Sequence, residues 1–166
     1  RIDLLKKICK KKKIILIEDA AEVLGQKLNN KKCGSFGDIS TFSFYANKQI
    51  TTGEGGMITT NNKSLYEKMS SLKNLSFGKE DRFNHDDIGW NYRMTNLQAS
   101  LGLSQLKRID KIVTLRHKVG LRYYNNLKNN KNIFIPPPKN HYSKNIYWVI
   151  AILIKNKKLK LNAKKV

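Results

Sequence analysis

The sequence predicts a mixed α/β fold on three observations. A continuous β-branched and apolar run occupies residues 14–17; two more strand candidates stand at 39–44 and 57–60; helical periodicity precedes and follows them. Taken in order, residues 2–9 put Leu4, Leu5, Ile8 and Cys9 on one side of a helical period, which reads as the end of an amphipathic helix running into a basic turn. Ile14-Ile15-Leu16-Ile17 is the pattern of a strand buried on both faces of a parallel sheet, and Asp19 lies just past its end. Asn62 can cap a helix through Leu65, Tyr66, Met69 and Leu72. Thr95-x-x-Gln98 fits a capping box, and Leu97, Leu101, Ile109, Ile112, Val113 and Val119 extend a helical pattern long enough to link two domains, ending near 129–130. Pro136-Pro137-Pro138 forbids regular structure, and residues 146–154 return to a strand-like run. The expected division is 1–110, belonging to a larger domain, and 111–166, a linking helix with the start of a smaller one. Arg1 is not an initiator Met and the chain stops in a Lys-rich run, so both ends read as cuts in a longer polypeptide.

With 166 residues, 40% of them hydrophobic, the chain can bury a core. No apolar run reaches the length of a membrane span and the opening residues lack the apolar centre of a secretory signal, so a soluble, cytoplasmic protein is expected. Cys9 and Cys33 stand apart without a CxxC or a Cys/His cluster, which points to neither a disulfide framework nor a zinc site.

A net charge of +21 raises nucleic acid as a partner. The charge is unevenly spread: residues 1–13 carry +6, 14–60 carry −1, 61–106 carry +1 and 107–166 carry +15. Lys outnumbers Arg 27 to 6, whereas readers of bases and phosphates favour the Arg fork. A compositional drift toward Lys and Asn is the preferred reading. A polyanion site on the basic end stays open, since phosphate attraction needs only net positive charge.

Chemistry concentrates in EDAAEVLGQKLNNKKCGSFGDISTFSFYANKQITTGEGGM, residues 18–57. An acid, Asp19, follows a strand; a hydroxyl, Ser43, ends another; Lys48 comes five residues later, ahead of the glycine-rich 51–56. A lysine amine, an acid and hydroxyls are the parts that pyridoxal-phosphate (PLP) chemistry requires, for a Schiff base, a pyridinium partner and a phosphate site. Taken singly, Asp19 reads as well as a helix cap, Ser43 as a strand hydroxyl and Lys48 as a surface charge.

In this wording the block resembles the DegT/DnrJ/EryC1/StrS family of PLP-dependent sugar aminotransferases, over roughly residues 14–128. The likeness is strongest in FSFYANKQITTGEGGM and in HDDIGWNYRMTNLQASLGLSQL. It implies the type I aminotransferase fold: part of a large α/β/α domain, then the start of a small α/β domain, assembled as a homodimer with active sites shared between subunits. Lys48 matches the Schiff-base lysine, Asp19 the acid facing the pyridine nitrogen, Ser43 the phosphate-binding serine, and Asn91 the asparagine that reaches the phosphate of the neighbouring subunit. Glu22 stands where many members carry Gln near the cofactor's ring oxygen; a carboxylate there must share a proton or rely on a nearby cation. Some members replace the lysine with His and become dehydratases, so Lys48 argues for transamination. The EDAAE wording resembles the perosamine-synthase-like branch and implies a nucleotide-linked 4-keto-6-deoxy sugar as acceptor, with L-glutamate as donor. His85 and Arg93 are left without a role. The alternatives are a basic nucleic-acid-binding module and an inactive truncated reading frame. No metal is implied.

Overall fold

The computed structural model describes residues 1–78 and 80–155. The Lys-rich end of the basic segment, residues 156–166, lies outside them. The described chain divides into two compact units, Arg1–Leu24 with Cys33–Arg108, and Gly25–Lys32 with the described residues from Ile109 onward.

The first unit opens on helix α1 (Ile2–Lys12), whose last turn is closed by Lys13 in the left-handed conformation, its N–H turned back on the Cys9 and Lys10 carbonyls. Strand β1 (Ile17–Asp19) follows. The strand expected over 14–17 thus forms later, and Ile14, Ile15 and Ile17 are 58%, 65% and 63% exposed rather than buried. The physical reason is that an apolar strand is buried on both faces only where layers cover both, and among the described residues β1 has one sheet neighbour.

The chain then contributes β2 (Lys27–Leu28) and β3 (Lys31–Lys32) to the second unit before returning as β4 (Ile39–Ser43). β4 lies parallel to β1, pairing Ile17 with Ile39 and Asp19 with Thr41, as the long crossover between them permits. β5 (Gly56–Thr60) runs antiparallel on the other side of β4 in the order β1-β4-β5, with Ser43 opposite Gly56. Helix α2 (Lys63–Leu72) starts where Asn62 accepts the Leu65 N–H, as its sequence predicts. Helix α3 (Asn96–Leu106) starts with the capping box of Thr95 and Gln98 complete. Ala20, Phe36, Phe44 and Ile50 form the buried apolar set of this unit, joined by buried Glu18, Ser40, Gln49 and Thr52.

The long linking helix expected from periodicity is two helices, α3 and α4 (Ile109–Leu127). At the break the Arg108 N–H bonds the Gln105 carbonyl three residues back, a tighter turn than an α-helix makes.

In the second unit β2 and β3 form a hairpin whose central residues, Asn29 and Asn30, have φ of 48° and 64°, the geometry of a two-residue primed turn. β6 (Ile133–Phe134) pairs with β7 (Leu153–Ile154). The strand expected over 146–154 is therefore confined to its last two described members. Ile146 and Tyr147 are buried but not extended: Tyr147 has φ 52°, and the preceding Asn145 carbonyl accepts from His117 Nδ1 at 2.8 Å.

Candidate active site

Because β1 and β4 are parallel, their carboxyl ends lie at the same edge of the sheet, β4 running two residues past the level of Asp19, and ligands in open α/β sheets bind outside such ends. Asp19 closes β1 at that edge: its side chain is exposed and its Oδ1 accepts the Ala21 N–H at 3.0 Å. Ser43 closes β4 at the same edge, its Oγ accepting the Tyr45 N–H at 3.3 Å.

Lys48 lies in the turn that follows β4, where its N–H donates to the Tyr45 carbonyl at 3.0 Å. Its side chain is only 11% exposed, and Nζ stands 4.0 Å from Oε1 of Glu22, itself 57% exposed in the segment after β1. Gln49, which is buried, donates to the Glu22 carbonyl at 3.2 Å. The segments leaving the two strands are thus joined by an ion pair and a hydrogen bond.

The rest of the lysine loop is tied to Phe44. The Thr52 N–H and the Thr51 hydroxyl both donate to the Phe44 carbonyl, at 2.9 and 3.1 Å, while the Phe44 N–H donates to Gly55 at 2.9 Å. Gly53 and Gly55, with φ of 80° and 138°, take the conformations this return requires and that side chains resist.

Asn91 bridges to Asn74, is exposed, and its Oδ1 accepts from Arg93 Nε at 3.0 Å. His85 Nδ1 bonds the Leu75 carbonyl at 2.6 Å, and its ring tilts against Phe77.

Sequence reasoning missed Glu18. Its buried carboxylate accepts the N–H groups of Gly34, Phe36 and Gly37 at 2.6, 2.8 and 3.0 Å and the Ser40 hydroxyl at 3.2 Å. Its burial follows from the face of β1 that it takes, which its residue type alone does not announce. Also missed was the face of α3 carrying Gln98, Gly102 and Gln105, whose helical spacing was visible in the sequence.

A nearly buried amine, two exposed carboxylates and a strand-end hydroxyl at one sheet edge form a donor set that fits an aldehyde cofactor with a basic ring nitrogen and a phosphate. The architecture is that of the sugar aminotransferases. It superposes on Helicobacter pylori PseC, an aminotransferase involved in the biosynthesis of pseudoaminic acid, with TM-score 0.86 and 34% identity, covering 96% of this chain and 43% of that one. A DegT DnrJ EryC1 StrS aminotransferase from Brucella abortus gives TM-score 0.83 at 26% identity, over 95% and 42% of the two chains.

The chain belongs to the DegT/DnrJ/EryC1/StrS aminotransferase family, whose sequence profile matches residues 1–166. It is 39% identical over 153 residues to the GDP-perosamine synthase of Escherichia coli O157:H7, spanning 88% of this chain and 39% of that protein. The GDP-perosamine synthase of Vibrio cholerae is 40% identical over 157 residues, or 92% and 41% of the two. The chain thus spans about two fifths of the length of the curated relatives it matches. Among the described residues no helix is long and apolar enough to cross a membrane.

Proposed function

We propose that the protein carrying this chain is a PLP-dependent aminotransferase that moves an amino group from an amino acid, L-glutamate, to a nucleotide-linked 4-keto-6-deoxy sugar. The observation that carries the reading is Lys48: an amine 11% exposed, 4.0 Å from a carboxylate, at the edge where β1 and β4 end. The likeness to GDP-perosamine synthases supports GDP as the linked nucleotide.

Bound PLP supplies an aldehyde that condenses with amines and a ring that accepts the electron pair left when a neighbouring C–H bond breaks. Lys48 Nζ would hold the cofactor covalently and, once displaced by the donor's amine, take and return the α-proton. Asp19 would keep the ring nitrogen protonated, Ser43 would hold the phosphate from its own chain, and Asn91 would hold that of a partner subunit in a homodimer. Glu22 would face the ring oxygen. A bare carboxylate there would repel a phenolate, and positive charge on Lys48 Nζ, which stands 4.0 Å from Glu22 Oε1, would offset it while that charge is present.

Lys48→Ala is expected to remove the proton carrier and lower amino transfer by at least ~10²-fold in the intact enzyme, measured as 2-oxoglutarate released from L-glutamate. Wild-type turnover by that variant contradicts the assignment. A panel of GDP-, dTDP- and UDP-linked keto sugars tests the acceptor; turnover with only the dTDP- or UDP-linked ketones overturns the GDP reading.

A further inference from the structure

Between Gln49 and Gly55 the lysine loop belongs to no strand among the described residues; besides its bonds to Phe44, its backbone is held by α3. Thr51 N–H donates to Gln105 Oε1 at 3.1 Å, and Gln105 Nε2 donates back to the Thr51 carbonyl at 2.8 Å. One side-chain amide therefore satisfies both backbone groups of Thr51, as a paired strand would. One turn earlier on the same face, α3 presents Gly102, where a Cβ would fall 2.9 Å from Thr52 Cγ2, so the absence of a side chain is what lets helix and loop close together. A further turn back, Gln98 Nε2 donates to the Glu54 carbonyl at 3.2 Å.

Thr51 is three residues beyond Lys48, and the intervening Gln49 and Ile50 are 4% and 2% exposed. They leave little slack, and a shift of Thr51 is carried to Lys48. Gln105 also bonds the Leu101 carbonyl at 2.9 Å, which fixes its own side chain against the helix.

We propose that Gln105 is a positioning residue: through its paired bonds to Thr51 it sets where Lys48 Nζ stands at the carboxyl ends of β1 and β4. The proposal rests on the reading of Lys48 as the cofactor lysine. Misplacement of a reacting group by about an ångström costs up to ~10²-fold in rate, so a brace this close to the amine acts on chemistry and not on fold alone.

The test uses the intact enzyme with Gln105→Leu, which removes both bonds to Thr51, and Gln105→Glu, which keeps the size and the acceptor for the Thr51 N–H. If the leucine variant does not fold, the glutamate variant carries the test. Hydrogen exchange is followed at Thr51 without PLP, and the pH titration of the lysine-bound cofactor's visible absorbance with it. The expected result is Thr51 exchange at least ~10-fold faster in Gln105→Leu, a displaced absorbance titration and a kcat reduced more than KM is raised, with a smaller change in Gln105→Glu. Unchanged exchange overturns the proposal. Faster exchange with an unmoved titration also overturns it, because Gln105 is then structural only. A wild-type enzyme that binds no PLP at Lys48 overturns the functional reading as well, and is recognised before any variant is made.

Discussion

Glu18 and Asp19 are adjacent yet have opposite surroundings, because successive residues of a strand point to opposite faces. Glu18 turns inward to three backbone N–H groups and a hydroxyl, while Asp19 is exposed at the strand's end. Glu18→Ala leaves those buried donors without an acceptor, and is expected to lower stability by about 2–4 kcal/mol in urea unfolding. A change below about 0.5 kcal/mol would show that water replaces the carboxylate without loss. Cys33, half-buried beside this knot, has its thiol pushed up from the ordinary value, first by burial and then by the Glu18 charge. The folded state therefore favours the protonated thiol: this contribution is complete below the ordinary thiol range and is lost as pH rises through the raised one. Alkylation of Cys33 by a neutral reagent should titrate at higher pH in native than in urea-unfolded protein, and Glu18→Gln should bring the native curve partly back. Coincident native and unfolded curves would refute the cause. The place of Asp19 at the end of a strand was legible in the sequence, because it closes an apolar run. Glu18 was not, because its role rests on which face of the strand it takes.

At the scale of elements, what was legible followed local rules. The Asn62 cap and the Thr95/Gln98 box are four-residue patterns, and both formed where the sequence placed them. Thr95→Ala is expected to cost about 1 kcal/mol, read in chemical denaturation. It should also loosen the Glu54 end of the lysine loop, since Gln98, which reaches Glu54, loses the Thr95 hydroxyl and keeps only the residue-95 N–H as its donor. A stability loss with wild-type exchange at residues 53–55 would separate the cap from the loop. The break between α3 and α4 was not legible, because no Gly or Pro stands between residues 103 and 112 to mark it. The strand expected over 14–17 and the one expected over 146–154 were misplaced for a shared reason. Apolar β-branched runs report affinity for a buried sheet, whereas strand assignment needs a partner, and β1 finds β4 from residue 17 onward.

At the scale of the whole molecule, the site depends on contacts far apart in sequence. The crossover brings Asp19 level with Thr41, Glu22 meets Lys48, and Gln105 reaches back 54 positions to Thr51. The motifs named the chemistry but not these contacts, since no short-range spacing encodes a pairing across a fold. Family membership and fold rest on the whole chain, whereas activity, acceptor sugar and dimerisation belong to a protein of which this chain spans about two fifths by the measure of its relatives. The central claim is the covalent role of Lys48, and borohydride reduction of the intact protein saturated with PLP, followed by peptide mass mapping, tests it most directly. A pyridoxyl mass on the peptide containing Lys48 is the predicted result; an unmodified Lys48 in folded, PLP-saturated protein would contradict it.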